Sequence, residues 1–144
     1  MRLLLTALTC AKGDVEANLA RHLATMAAGV GCDLVVLPEM SLTGYRPSAA
    51  IAMDHLAVRE LIAKTANGPA VCFGLAEATS GKPYITQVVA AGGDVVVIHR
   101  KAHLGDDEMD DFQPGTPADR FQLAGIACSI AVCAEIGRQP PYRL

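Results

Sequence analysis

The sequence predicts a layered α/β domain, on three observations. Apolar stretches of strand length alternate with stretches whose apolar residues recur at helical spacing, in the order strand, helix, strand, helix, strand. The segment DLVVLPEM (33–40) carries four consecutive apolar residues, as a strand buried on both faces does. Gly92-Gly93, set between two β-rich runs, is a hairpin signal.

Taken in order, RLLLTALT (2–9) reads as the first strand. The N-terminus has the outward look of a signal peptide, but its apolar core is too short for one. Asp14 is a good helix N-cap, and Val15, Leu19, Leu23, Met26 and Val30 follow on one stripe, with Gly29 and Gly31 as the stop. The second strand ends at Pro38, which cannot donate to a ladder, and this leaves Glu39 on its C-terminal lip. SLTGYRP is a loop. A second helix is expected over 48–67, with Ile51, His55, Val58 and Ile62 on its buried stripe and Asn67-Gly68-Pro69 closing it. AVCFGLAEA (70–78) is the next strand, and PYITQVVAA and DVVVIHR form the hairpin. A long acidic loop (102–120) follows, and FQLAG leads into GIACSIAVCAEIG (125–137). There Ile126, Cys128, Ile130 and Val132 alternate with smaller residues as in a buried strand that delivers Cys133 to its end, with a turn at Gly137. IGRQPPYRL holds no complete element.

A chain of 144 residues fits one domain, able to bury roughly 70% of its unfolded surface. It is 51% apolar, yet the apolar runs are short and broken by Gly, Pro or charge, so none spans a membrane. A net charge of −3 without a basic tract argues against nucleic acid or an anionic membrane as partner. The cysteines at 10, 32, 72, 128 and 133 are odd in number and contain no CxxC pair. That is neither a disulfide framework nor a zinc ribbon, and it suits a reducing cytoplasm. The acidic run lacks EF-hand spacing, and His99 and His103 share no helical face, so no metal or other cofactor is expected.

Glu39, Lys101 and Cys133 each follow an apolar strand. An ordinary thiol is mostly protonated at neutral pH, and the thiolate is the nucleophile. A nearby carboxylate can take the proton, and a nearby ammonium favours the anion. The same ammonium can hold a tetrahedral oxyanion, with the backbone N–H of Ala134 as a second donor. Each residue also has a plainer reading: a Glu after Pro in a solvated turn, a Lys beside Arg100 on the surface, a Cys as a small core hydrophobe. The residues alone leave both readings open.

DLVVLPEMSLTGY, HRKAHL and AVCAEIG, in that order, resemble the three signatures of the nitrilase superfamily of carbon–nitrogen hydrolases. The resemblance implies an α-β-β-α sandwich and a catalytic set of Glu39, Lys101 and Cys133. It also implies a second glutamate, Glu108, that orients the lysine and helps to position the substrate. Gly44-Tyr45 leans towards the amidase-like branches, and Tyr45 is carried as a substrate-binding candidate. The implied substrate is a small-molecule amide or nitrile, the implied intermediate is a thioester on Cys133, and the expected state is a cytoplasmic homo-oligomer. The resemblance covers only the first half of the family's usual length, so the single domain, 1–144, is expected to be truncated at its C-terminal side. Ala134 stands where the family often has an aromatic residue. Two alternatives stay open: an inactive homologue that binds a partner or oligomerises through its exposed sheet, and a thiol redox-sensing domain using Cys133.

Overall fold

The computed structural model describes residues 1–136. The Asp14 carboxylate accepts from Ala17 N at 3.0 Å and starts helix α1, Val15–Ala28. The chain turns back at Gly31, whose φ of +88° is left-handed, whereas Gly29 keeps a negative φ of −82°. Met26 is buried and Leu19 and Leu23 pack against the core, but Val30 lies beyond the helix and is exposed.

Helix α1 connects two short strands, β1 (Leu3–Leu5) and β2 (Leu34–Val36), which pair in parallel. The first strand is thus shorter than the apolar run 2–9 suggested. β2 pairs in parallel with β3 (Ala70–Glu77) through the second helical connection. That connection is not one helix over 48–67. It opens with a 3-10 turn at Pro47–Ala49, runs extended through Ile51, and becomes helix α2 only at Leu56–Lys64, with a further 3-10 turn at Thr65–Asn67. The reason is tertiary. Ile51 N donates to Ala76 O at 3.0 Å and Ala78 N donates to Ile51 O at 2.9 Å, so the backbone of Ile51 serves the end of β3. His55 then caps α2 by accepting from Ala57 N through Nδ1.

β3 continues antiparallel to β4 (Tyr84–Ala91), and β4 to β5 (Asp94–Arg100), completing a sheet of order β1-β2-β3-β4-β5. The hairpin turns on Gly92 and Gly93, at φ +63° and +89°, the left-handed pair that a two-residue turn requires. Beyond the turn the ladder is irregular. Ala90 pairs with Val95 but Val89 pairs with Val97, which leaves Val96 as an extra residue in a β-bulge.

One face of the sheet packs on the helices through Val35, Phe73, Leu75 and Val88 against Met26, Val58 and Leu61. The other face carries Cys72 and Val89 against Leu123, Ile130 and Val132. Nearer the C-terminal ends of the parallel strands, Met40, Ala76 and Ile85 meet Leu104 and Phe112.

The stretch 126–132 is not one buried strand. Only Ile126–Cys128 (β7) is extended and paired, with β6 (Phe121–Leu123), and Ile126 is exposed. Ile130 and Val132 are buried as the alternation predicted, but they lie outside the ladder because β6 offers only three pairing positions. The expected turn at Gly137 and the expected lack of a complete element in the last residues both lie outside the described residues. Among the described residues, no helix is long and apolar enough to cross a membrane.

Candidate active site

The segments that follow β2 and β5 meet on the face away from the helices. Lys101 follows β5 directly, and its side chain is fully buried. Its Nζ donates to Glu39 Oε1 at 2.8 Å and to Glu108 Oε1 at 2.8 Å. Burial alone would pull the ammonium down, and the hydrogen bonds it donates to Glu108 and Glu39 more than offset this, leaving the pKa above its ordinary value. This is not surface charge beside Arg100. The two neighbours point to opposite faces of β5, and Arg100 forms its own pair with Glu77 on the helix side, at 2.7 Å through both Nε and Nη2.

Glu108 is the one buried member of the acidic run; Asp106, Asp107, Asp110 and Asp111 are exposed. Its second oxygen accepts from Gly105 N at 2.7 Å, and its carbonyl accepts from Asp111 N and Phe112 N. The carboxylate is therefore fixed by its own turn before it meets Lys101. The Pro-Gly that follows returns to the strand end, where Gly115 N donates to Lys101 O at 2.8 Å.

Glu39 keeps its side chain 23% exposed and is presented by an unusual backbone. Met40, directly after it, takes φ +49°, a costly conformation for a side chain of that size. The turn is anchored on both sides. Leu42 N donates to Gly74 O at 2.9 Å, and Ser41 Oγ lies 2.9 Å from His22 Nε2. His22 Nδ1 sits 2.7 Å from Asn18 O, a carbonyl that can only accept. Nδ1 therefore holds the proton, and Nε2 accepts from the Ser41 hydroxyl. Burial lowers the His22 pKa, against a smaller upward pull from that carbonyl, in keeping with a neutral ring.

Cys133 is exposed and opens a 3-10 turn, Cys133–Glu135, with φ +47° at the cysteine itself. Glu39 and Cys133 both line one cavity of about 400 Å³, whose walls are otherwise mostly apolar. Lys101 is bonded to Glu39 at that wall and is not itself among the lining residues. A buried lysine between two carboxylates, one of which shares a cavity with an exposed cysteine, supplies a proton acceptor, a cation and a thiol within one region.

The sequence profile of the family described as carbon-nitrogen hydrolase matches residues 5–140. The chain belongs to the carbon-nitrogen hydrolase family. An (R)-stereoselective amidase of Pseudomonas sp is 31% identical over 94% of this chain and 52% of its own length. A glutamine-dependent NAD(+) synthetase of Rhodobacter capsulatus is 32% identical over 93% of this chain and 26% of its own. The fold matches a CN-hydrolase superfamily protein of Xanthomonas campestris at a TM-score of 0.83 and 20% identity, over 96% of this chain and 55% of that one. It also matches an amidase from Nesterenkonia sp. at 0.80 and 27% identity, over 93% and 56%. The chain thus spans about half the length of that Pseudomonas amidase.

Within this member of the carbon-nitrogen hydrolase family the remaining candidates fall as follows. Ala134 is in the 3-10 turn directly after Cys133, and among the described residues its N–H has no acceptor. Tyr45 is partly exposed, packs edge-on to Phe112 with ring centroids 5.8 Å apart, and does not line the cavity. Its hydroxyl is pushed up to about 12 by burial and by the carboxylates of Glu108, Asp107 and Glu39.

One group that the residue-level reading left without a role is Glu135. Fully buried, it accepts from Val132 N at 2.9 Å, from Ala102 N at 2.8 Å and from His99 Nε2 at 2.8 Å. Ala118 N donates to His99 Nδ1 at 3.2 Å, so the ring's proton is on Nε2. The carboxylate ties the cysteine turn to the end of β5, next to Lys101. Burial alone would raise its pKa; the bonds from His99, Val132 N and Ala102 N outweigh this and lower it to about 2. A folded value below the ordinary 4.5 means that the stabilisation is complete above pH 4.5 and is lost as pH falls towards 2. Glu135→Gln is therefore expected to cost about 3 kcal/mol at neutral pH. Urea unfolding of both proteins across pH should show the gap closing between 4.5 and 2, and a gap independent of pH would refute the assignment. The only trace of this clamp in the sequence is an acid two residues after the cysteine.

Proposed function

We propose that the protein hydrolyses a non-peptide carbon–nitrogen bond, of an amide above all, through a thioester on Cys133. Supporting this reading most directly is Lys101, wholly buried between Glu39 and Glu108, with Glu39 on the wall of the cavity that Cys133 shares.

Each step uses a group already described. Glu39 takes the thiol proton, and Cys133 Sγ attacks the carbonyl carbon. Two of the three Lys101 ammonium protons are committed to carboxylates, and the third remains for the oxyanion, with the Ala134 N–H as the second donor. Collapse of the tetrahedral intermediate breaks the C–N bond, and Glu39 returns its proton to the leaving ammonia. Water then gives a proton to Glu39 and attacks the thioester. The acid leaves, and Cys133 recovers its proton. Amide and water become acid and ammonia, with no external oxidant or reductant. Glu108 acts by positioning the lysine.

Incubation with a panel of primary amides, followed by ammonia detection and intact-mass analysis, tests the reading. Ammonia release together with an acyl mass on the Cys133 peptide is expected. Oxidation of Cys133 to a sulfenic acid without any acyl adduct would favour thiol sensing instead.

A further inference from the structure

We propose that Gln87 selects the acyl group, favouring substrates that carry a hydrogen-bond donor such as a hydroxyl on the acyl chain. The proposal rests on the hydrolase reading for the site and concerns what the cavity accepts.

Gln87 is on β4, paired across the sheet with Gly74 on β3 and His99 on β5, and its side chain is on the cavity face. It is 6% exposed and lines the same cavity as Glu39 and Cys133. Its Nε2 donates to Leu37 O at 3.3 Å and to Cys72 Sγ at 3.3 Å. The reverse orientation of the amide would set two acceptors, Oε1 and the Leu37 carbonyl, against each other, so the contact fixes which atom is which.

The other end of the amide is unpaired. Among the described residues nothing donates to Oε1. It lies over Gly74, where an added methyl would come within 2.6 Å of it and within 2.4 Å of Met40 N. Glycine at this point makes room for both the amide and the strained Glu39 turn. A buried amide oxygen without a donor costs about 1–3 kcal/mol, which a donor on a bound ligand would recover. In a cavity otherwise walled mainly by carbon, a single polar group of this kind sets orientation and selectivity. Neighbouring Cys72 offers no competing chemistry. Burial, only partly countered by Gln87, pushes its thiol up to about 11, so it stays protonated.

The test uses isosteric pairs in which a hydroxyl replaces a methyl: glycolamide against propionamide, 3-hydroxypropionamide against butyramide, and 4-hydroxybutyramide against valeramide. The readout is protection of Cys133 from iodoacetamide, by peptide mapping, with ammonia release followed in parallel. In at least one pair the hydroxyl member should protect at a concentration about tenfold lower. Gln87→Met should bring that pair to parity by weakening only the hydroxyl member. Gln87→Glu loses the brace to Leu37 O but keeps an acceptor, and should retain the preference. A preference that survives in Gln87→Met, one lost equally in both variants, or the absence of any preference or protection in the wild type would overturn the proposal. Gln87-dependent protection without ammonia from any of the six amides would end the hydrolase reading alone. Ammonia release at parity would end the Gln87 proposal alone.

Discussion

Lys101→Met should destabilise the protein by about 3–5 kcal/mol, the cost of leaving buried charge without its partner. Glu39 and Glu108 both bond to the same ammonium, and Glu108 cannot turn to solvent, because its second oxygen is held by Gly105 N. The double variant Lys101→Met/Glu108→Gln should recover part of the loss, since one of the two stranded charges is gone, and this coupling separates charge from packing. Urea unfolding reads both effects. A single variant within about 1 kcal/mol of wild type would mean that the ion cluster is not as buried as the geometry has it. The raised lysine pKa sets the pH range: the stabilisation is present below its ordinary value of 10.5 and fades only as pH climbs through the higher folded one.

Replacing the cysteine by glycine should have a larger effect on chemistry and should relieve backbone strain. Cys133 sits at φ +47°, a region that costs a residue with a Cβ about 1–2 kcal/mol. Cys133→Gly should therefore abolish both acylation and turnover while being more stable to urea unfolding than Cys133→Ala by about 1 kcal/mol. The comparison isolates backbone strain, since neither variant has a thiol. Equal stability of the two would show that the turn carries no strain. Residual ammonia release in either would remove Cys133 from its proposed role.

What could be read in the sequence was what local chemistry decides. Asp14 and the Gly92-Gly93 pair act within a few residues of themselves, and helix α1 and the hairpin stand where they were expected. Helix α2 was overextended because Ile51 fits a helical stripe, yet its backbone is taken by Ala76 and Ala78 on β3, a partnership no local pattern records. In the same way the alternation of 126–132 identified Ile130 and Val132 as inward-facing but could not count the pairing positions that β6 supplies.

The site divides along the same line. Glu39, Lys101, Cys133 and Glu108 were singled out because their motifs keep order and spacing; the structure sets Lys101 against both glutamates and puts Cys133 on the wall of a cavity that Glu39 also lines. Glu135 was marked only as the acid of its motif and Gln87 not at all, because their roles lie in the backbone groups and cavity they face across the fold.

The extra residue in the hairpin has a consequence for the identity of the cation. Side chains alternate along a strand, so a slip of one position exchanges its two faces. With Val96 bulged out, Gln87 stands opposite His99 and Thr86 opposite Arg100, and Lys101 falls on the side of the two glutamates. Counted from the turn without that extra residue, Ile98 would stand opposite Gln87, and the guanidinium of Arg100 would enter the carboxylate cluster in place of the ammonium. A five-donor planar fork does not replace a compact ammonium with a single spare proton. The choice between them is made by an irregularity some five residues upstream, in a strand that does not line the cavity.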